Sequence, residues 1–188
     1  GFTASTQEVE GLGLALAEEG FTVLAPLLPG HNRNFTVFKE TGAQDYYQWV
    51  EEKYKDLNQF KTIHVVGLSF GATLALHLAS HNQVGKVVAL APAIFYYDPL
   101  ANLTPLLRIY RGKVMKRRKT NPDTGIESYW DLFRPEAVRE RIAYPWLAFQ
   151  QLQTTRKIKK EVKHELPMIK NPNLIMHSLK DTTTKPTG

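Results

Sequence analysis

The chain has 188 residues, 43% hydrophobic and 22% charged, with a formal net charge of +6 and no cysteine. That size and composition suit one globular domain with a sizeable core, and no apolar run is long enough to span a bilayer. The lack of cysteine excludes disulfides and thiolate metal sites, which argues against a disulfide-stapled secreted scaffold and favours the cytoplasm.

Ser5 and Glu8 have the spacing of a capping box at a helix start. Val9, Leu12, Leu16 and Ala17 supply an apolar stripe, and Gly20 ends it. Residues 21–25 then read as a short buried strand, and residues 26–35 as a loop marked by Pro29-Gly30. The periodicity predicts a helix over 44–58 with Tyr47, Val50 and Tyr54 on one side. Residues 61–67 read as a strand, 70–81 as a helix of small and apolar residues, and 84–90 as a β-branched strand stopped at Pro92. From residue 96 to about 166 the pattern changes: convincing strands are lacking, and helical periodicity is broken at Pro122, Pro135 and Pro145. Residues 173–177 form a last apolar strand, with Asp181 just beyond. Such alternation predicts an α/β fold, a mostly parallel sheet with helices on both faces. The core would comprise 1–95 and 167–188, with 96–166 a helical cap inserted between two sheet strands, above the strand ends where α/β ligands bind.

Gly67-Leu68-Ser69-Phe70-Gly71 spell G-x-S-x-G between a predicted strand and a predicted helix. A nucleophile elbow needs a strand that ends abruptly, one residue in a strained turn and a helix that starts at once. The strain lifts the serine hydroxyl out of the sheet, and the helix N-terminus aims at the developing oxyanion. At both Gly67 and Gly71, strand and helix are expected to cross so closely that a Cβ would clash. The same five letters also occur in surface turns; the flanking strand and helix favour the elbow.

Together these residues resemble the α/β-hydrolase fold, and within it the bacterial carboxylesterase and monoacylglycerol-lipase-like group. Gly1-Phe2-Thr3-Ala4-Ser5 resembles the second half of that group's His-Gly-Phe-Thr-Gly/Ala-Ser loop, and Leu28-Pro29-Gly30-His31 its Gly-His turn. Residues 42–49 resemble its segment ending in Asp-Trp, and Lys180-Asp181 with Pro186 its acid-bearing loop. The resemblance implies a serine esterase that cleaves small carboxylic esters, acyl or acylglycerol, through an acyl-enzyme on Ser69, without a cofactor. It implies Asp181 as the acid that orients the base, and the backbone N–H groups of Phe2 and Phe70 as the oxyanion hole. The family's order of serine, acid, histidine agrees as far as the acid.

The histidine should then follow, yet only seven residues come after Asp181 and none is histidine. The sequence therefore reads as a fragment that lacks N-terminal strands and the C-terminal histidine segment, inactive by itself. His31, His64, His77, His81, His164 and His177 each read as packed or solvated, and none is assigned as the base. Asp98 is an alternative acid, against a cap-entry turn at Asp98-Pro99. Gly11-Leu12-Gly13 lacks a third glycine and a preceding strand, so it reads as helix packing and not as a dinucleotide site. No His/Asp/Glu cluster shows metal-ligand spacing, so no metal is expected.

The positive charge is concentrated in 108–119 and 156–163. Both stretches read as solvated helix faces rather than as surfaces for anionic lipid or nucleic acid, and neither interleaves the aromatics of a single-strand platform. Apolar residues such as Phe95, Trp130, Phe133 and Trp146 either line an acyl pocket or pack the cap. Two other functions stay open at this point. One is a different acyl transfer on the same scaffold, by a peptidase, thioesterase or acyltransferase. The other is a non-catalytic hydrolase-fold binding protein.

Overall fold

The computed structural model describes residues 1–31, 34–95, 113–115, 119–120, 127–128, 143–181 and 183–186. In chain order its elements are α1 (Gln7–Glu18), α2 (Phe35–Glu40), α3 (Ala43–Lys55), β1 (Val65–Leu68), α4 (Phe70–His81), β2 (Val87–Leu90), β3 (Lys113–Met115), β4 (Lys119–Thr120), β5 (Glu127–Ser128), β6 (Trp146–Ala148), α5 (Phe149–Glu165), a 3-10 turn (Leu166–Met168) and β7 (Asn173–Met176). β1, β2 and β7 form a parallel sheet in that order, with Val65 opposite Val87 and Val87 opposite Asn173. Parallel strands need long crossovers, and α4 supplies the one from β1 to β2. All three carboxyl ends therefore open on the same side.

α4 is the centre of the core. Phe70, Ala72, Thr73, Leu74, Ala75, Leu76, Leu78 and Ala79 are all buried, as a helix apolar around most of its circumference must be. It packs against β1 and β2 on one side and against α3 and α5 on the other. Tyr46 of α3, Ile158 and Val162 of α5, and Val87 and Ala89 of β2 close the same cluster. One polar chain crosses it: the Tyr46 hydroxyl donates to Gln151 Oε1 at 3.1 Å, and Gln151 Nε2 donates to the Thr41 carbonyl at 2.6 Å. Burial first, then the charge of Asp45 and the neighbouring Tyr144, push the Tyr46 phenol above its ordinary range.

Several expectations are corrected. Residues 21–25 form no strand and are exposed, with Phe21 at 51% and Leu24 at 43%. An apolar run becomes a strand only where a neighbouring ladder takes its N–H and C=O groups, and none does among the described residues. α1 starts at Gln7, and the capping box is not formed: Thr6 is the N-cap, Ser5 Oγ accepts from Gln7 N at 3.4 Å, and Glu8 turns to the Gly1 amine at 2.6 Å. Its stop is as expected, because Gly20 takes φ +88° and Phe21 N donates back to the Leu16 carbonyl. The strands expected over 61–67 and 84–90 shorten to β1 and β2. The stretch from 96 to 166, expected to lack strands, contains two short antiparallel pairs, β3 with β6 and β4 with β5. α2 begins at Phe35, where the expected loop over 26–35 ends, and was itself not expected; Asn34 Oδ1 caps it by accepting from Thr36 N at 2.8 Å and Val37 N at 3.3 Å. Among the described residues no helix is long and apolar enough to cross a membrane.

Candidate active site

Ser69 sits alone between β1 and α4, at φ 55° and ψ −115°. This conformation is strained for any residue with a Cβ, and three backbone bonds hold it. Ser69 N donates to the Leu90 carbonyl at 2.8 Å, and the Ser69 carbonyl accepts from Thr73 N at 3.1 Å and Ala93 N at 3.3 Å. The end of β2 thus grips the turn from one side and the first turn of α4 from the other. Gly67 is required by space: a Cβ there would meet the Gly71 carbonyl oxygen and lie 2.5 Å from Ala72 Cα and N. Gly71 departs from expectation, since a Cβ there would meet nothing within 4 Å among the described residues beyond its chain neighbours and the backbone of its own helix. The close crossing is made on one side only, with Gly67 giving way to the backbone of Gly71 and Ala72.

Phe2 is brought against the elbow. Its ring lies 5.5 Å from that of Phe70 and 5.4 Å from that of Phe38. The next residue, Thr3, is fully buried at φ 66°, and its carbonyl accepts from Tyr144 N at 2.8 Å. Ala4 bridges to Ala143. The opening segment is thus clamped between the elbow and the chain entering α5. The Phe2 and Phe70 rings pack the two segments together. Phe70 is the first residue of α4, so its N–H is one of those a helix leaves without an intrahelical acceptor. His31 is packed in the same aromatic group, 2% exposed, with Nδ1 3.1 Å from the Pro29 carbonyl.

Asp181 follows β7. Its Oδ1 accepts from Thr183 N at 2.7 Å and Thr184 N at 3.0 Å, and its Oδ2 accepts from Thr184 Oγ1 at 2.8 Å. His177 Nε2 lies 3.2 Å from Oδ2. Burial pushes the carboxyl up, but the Thr184 and Thr183 amides, the Thr184 hydroxyl and His177 together outweigh it and hold Asp181 below its usual value. Lys185 N donates to the Phe95 carbonyl at 2.9 Å, which ties this loop to the segment after β2. Nothing in the sequence marks Thr184, because a threonine three residues past an acid is ordinary; nor was His177 expected to pair with the acid it precedes.

Ser69 and Asp181 both lie at carboxyl ends of strands, with β2 between them. Two strand spacings separate β1 from β7 by about 10 Å. Ser69 Oγ has no hydrogen-bond partner among the described residues, so none of the six histidines is bonded to it. Asp98, Trp130 and Phe133, and most of the basic stretch 108–119, lie outside the described residues. On α5, Arg156, Lys157, Lys160 and Lys163 are exposed while Ile158 and Val162 are buried. Lys163 Nζ lies 4.7 Å above the Phe95 ring.

Residues 1–183 match the model of the alpha/beta hydrolase family. The chain belongs to the α/β hydrolase family. It is 41% identical over 83 residues to a thermostable monoacylglycerol lipase of Bacillus sp. (strain H-257), a match covering 44% of this chain and 33% of that protein. It is 24% identical over 193 residues to a carboxylesterase of Bacillus subtilis (strain 168), covering 96% of this chain and 69% of that one. Its fold is similar to a structure from work on the metagenome-derived lipolytic enzymes LipS and LipT, at TM-score 0.83 and 21% identity over 99% of this chain and 72% of that one. The Paleococcus ferrophilus monoacylglycerol lipase gives TM-score 0.78 at 19% identity, over 99% of this chain and 73% of that one. The chain therefore spans a third of the first relative and about seven tenths of the others. Within this α/β hydrolase the expectation of no metal-ligand cluster needs correction: His77, His81 and Glu165 offer ligand atoms all within 4.8 Å of one another. The i, i+4 spacing of the two histidines on a helix was a legible signal; Glu165 lies 88 positions from His77 in sequence and was not.

Proposed function

We propose that this α/β hydrolase is a serine carboxylesterase that cleaves acyl or acylglycerol esters through an acyl-enzyme on Ser69. The observation that carries the reading is the strained Ser69, held at the mouth of the parallel sheet two strands from a hydrogen-bonded Asp181. The lipase and carboxylesterase relatives support the choice of an ester as substrate. Ser69 Oγ attacks the ester carbonyl, and an imidazole takes its proton. The tetrahedral oxyanion is held by the Phe2 and Phe70 amides, each worth roughly 3–4 kcal/mol of barrier. The imidazolium then protonates the leaving alcohol, and water, deprotonated by the same imidazole, releases the carboxylic acid. Asp181 fixes the imidazole's tautomer and balances its charge, which needs the ionised carboxylate that its four contacts favour.

The base is, on this proposal, a histidine other than the six in residues 1–188, and residues 96–166 form a cap over the strand ends. The test compares the complete gene product with its Ser69→Ala variant on a p-nitrophenyl ester. Turnover should fall by about 10³-fold or more at unchanged far-UV circular dichroism, and retained turnover rules out Ser69 as nucleophile. Labelling by a fluorophosphonate at Ser69 separates this enzyme from a non-catalytic hydrolase-fold binding protein, and a thioester and peptide panel separates it from other acyl transfers. Residues 1–188 expressed alone should give at most trace turnover; normal turnover would assign the base to one of their own histidines.

A further inference from the structure

We propose that His77, His81 and Glu165 form a binding site for a divalent transition-metal ion of the zinc type, which clamps α4 to α5. The two histidines stand four residues apart on α4 and so share one face of the helix. Glu165 is the last residue of α5 and reaches across to both: its Oε2 lies 2.8 Å from His77 Nδ1 and its Oε1 lies 3.9 Å from His81 Nε2. Each carboxylate oxygen already faces a different imidazole nitrogen. A tetrahedral zinc ion with bonds near 2.0–2.2 Å sets its ligand atoms about 3.4 Å apart. One of these two separations is slightly closer than that and the other slightly farther, and taking one ligand atom from each of the three residues the atoms all lie within 4.8 Å of one another, so side-chain shifts of about 1 Å would close the site around an ion. The metal takes the place of the proton shared by His77 and Glu165, which leaves to solvent.

The surroundings hold the ligands in order. His81 Nδ1 lies 3.0 Å from the His77 carbonyl and 2.8 Å from Ser80 Oγ, and the tautomer in which it donates to that carbonyl leaves the Nε2 lone pair for a metal. A ligating histidine is commonly fixed in this way by a backbone carbonyl. Tyr47 stacks on the His77 ring at 3.8 Å and 19°, and its hydroxyl donates to Glu161 Oε2 at 2.8 Å. A cleft of about 280 Å³ bordered by both histidines, Tyr47 and Glu51 leaves room for water to complete the coordination. His77 is 14% exposed, Glu165 17% and His81 44%, so the ion enters from solvent past His81. Two imidazoles and a carboxylate suit zinc, cobalt or nickel rather than the all-oxygen ions magnesium and calcium. His77 stands eight residues beyond Ser69, on the helix that Ser69 precedes, about 12 Å along its axis, so the ion would brace α4 without touching the serine.

The experiment titrates untagged protein with Zn²⁺ by calorimetry and thermal unfolding, and with Co²⁺ by visible absorption. One ion per chain is expected, with four- or five-coordinate cobalt bands and a midpoint raised by about 5–10 °C at a free zinc concentration 100-fold above Kd. His81→Gln and Glu165→Gln should each weaken binding at least about 10-fold, while His64→Gln, at an exposed histidine outside the cluster, should bind as the wild type does. His81 is exposed, so its variant keeps the fold, which circular dichroism checks. Absence of binding overturns the proposal, as does binding that both cluster variants leave unchanged.

Discussion

Gly67 and Gly71 look equivalent in the sequence, and the structure makes them opposites. In Gly67→Ala the new Cβ would stand 2.5 Å from Ala72 Cα and N and closer still to the Gly71 carbonyl oxygen. Carbon–carbon contact is comfortable at about 3.5–4 Å, so β1 and α4 must part by about 1 Å. Neither can move freely, because α4 is buried along most of its length and Ser69 is tied to Leu90 and Ala93. The cost should reach about 3 kcal/mol, the upper range for overpacking a core. In Gly71→Ala the Cβ enters open space within a helix, so the variant should gain up to about 1 kcal/mol of helix propensity. For a chain of this size each kcal/mol moves the thermal midpoint by about 2–4 °C. Gly67→Ala should therefore melt about 6–12 °C below the wild type and Gly71→Ala slightly above it. Thermal unfolding followed by far-UV circular dichroism reads both. Equal destabilisation by the two substitutions would refute the one-sided crossing.

Gln151→Leu should lower stability by about 2–4 kcal/mol, because the Tyr46 hydroxyl and the Thr41 carbonyl would each lose a buried partner. Urea unfolding measures this, and adding Tyr46→Phe should recover part of the loss; no recovery would mean that the hydroxyl is not what suffers. Asp181 contributes through a depressed carboxyl, so its stabilisation is present above the ordinary carboxylate range and lost as pH falls through the lowered value. The gap in urea midpoint between wild type and Asp181→Asn should thus be widest near neutrality and shrink below about pH 4. A gap that does not change with pH would show that the hydrogen bonds around Asp181 do not favour its ionised form.

What the sequence determined is local. G-x-S-x-G between an apolar β-branched run and a run of small residues sets a strand, one strained residue and a helix, and α4 falls at the predicted 70–81 because each of those signals acts within a few residues. Alternation along the chain likewise carried the parallel sheet, and the position of Asp181 after the last apolar run put it at a strand end. Tertiary structure decided whatever needs a distant partner. Residues 21–25 had every local mark of a strand and formed none, because among the described residues no ladder pairs with them. Helical periodicity alone could not say that α5 would bury Ile158 and Val162 beside α4, or that Glu165 would reach His77. Space around a glycine is also a property of whatever packs on it, which is why Gly67 is compelled and Gly71, identical in the sequence pattern, is not.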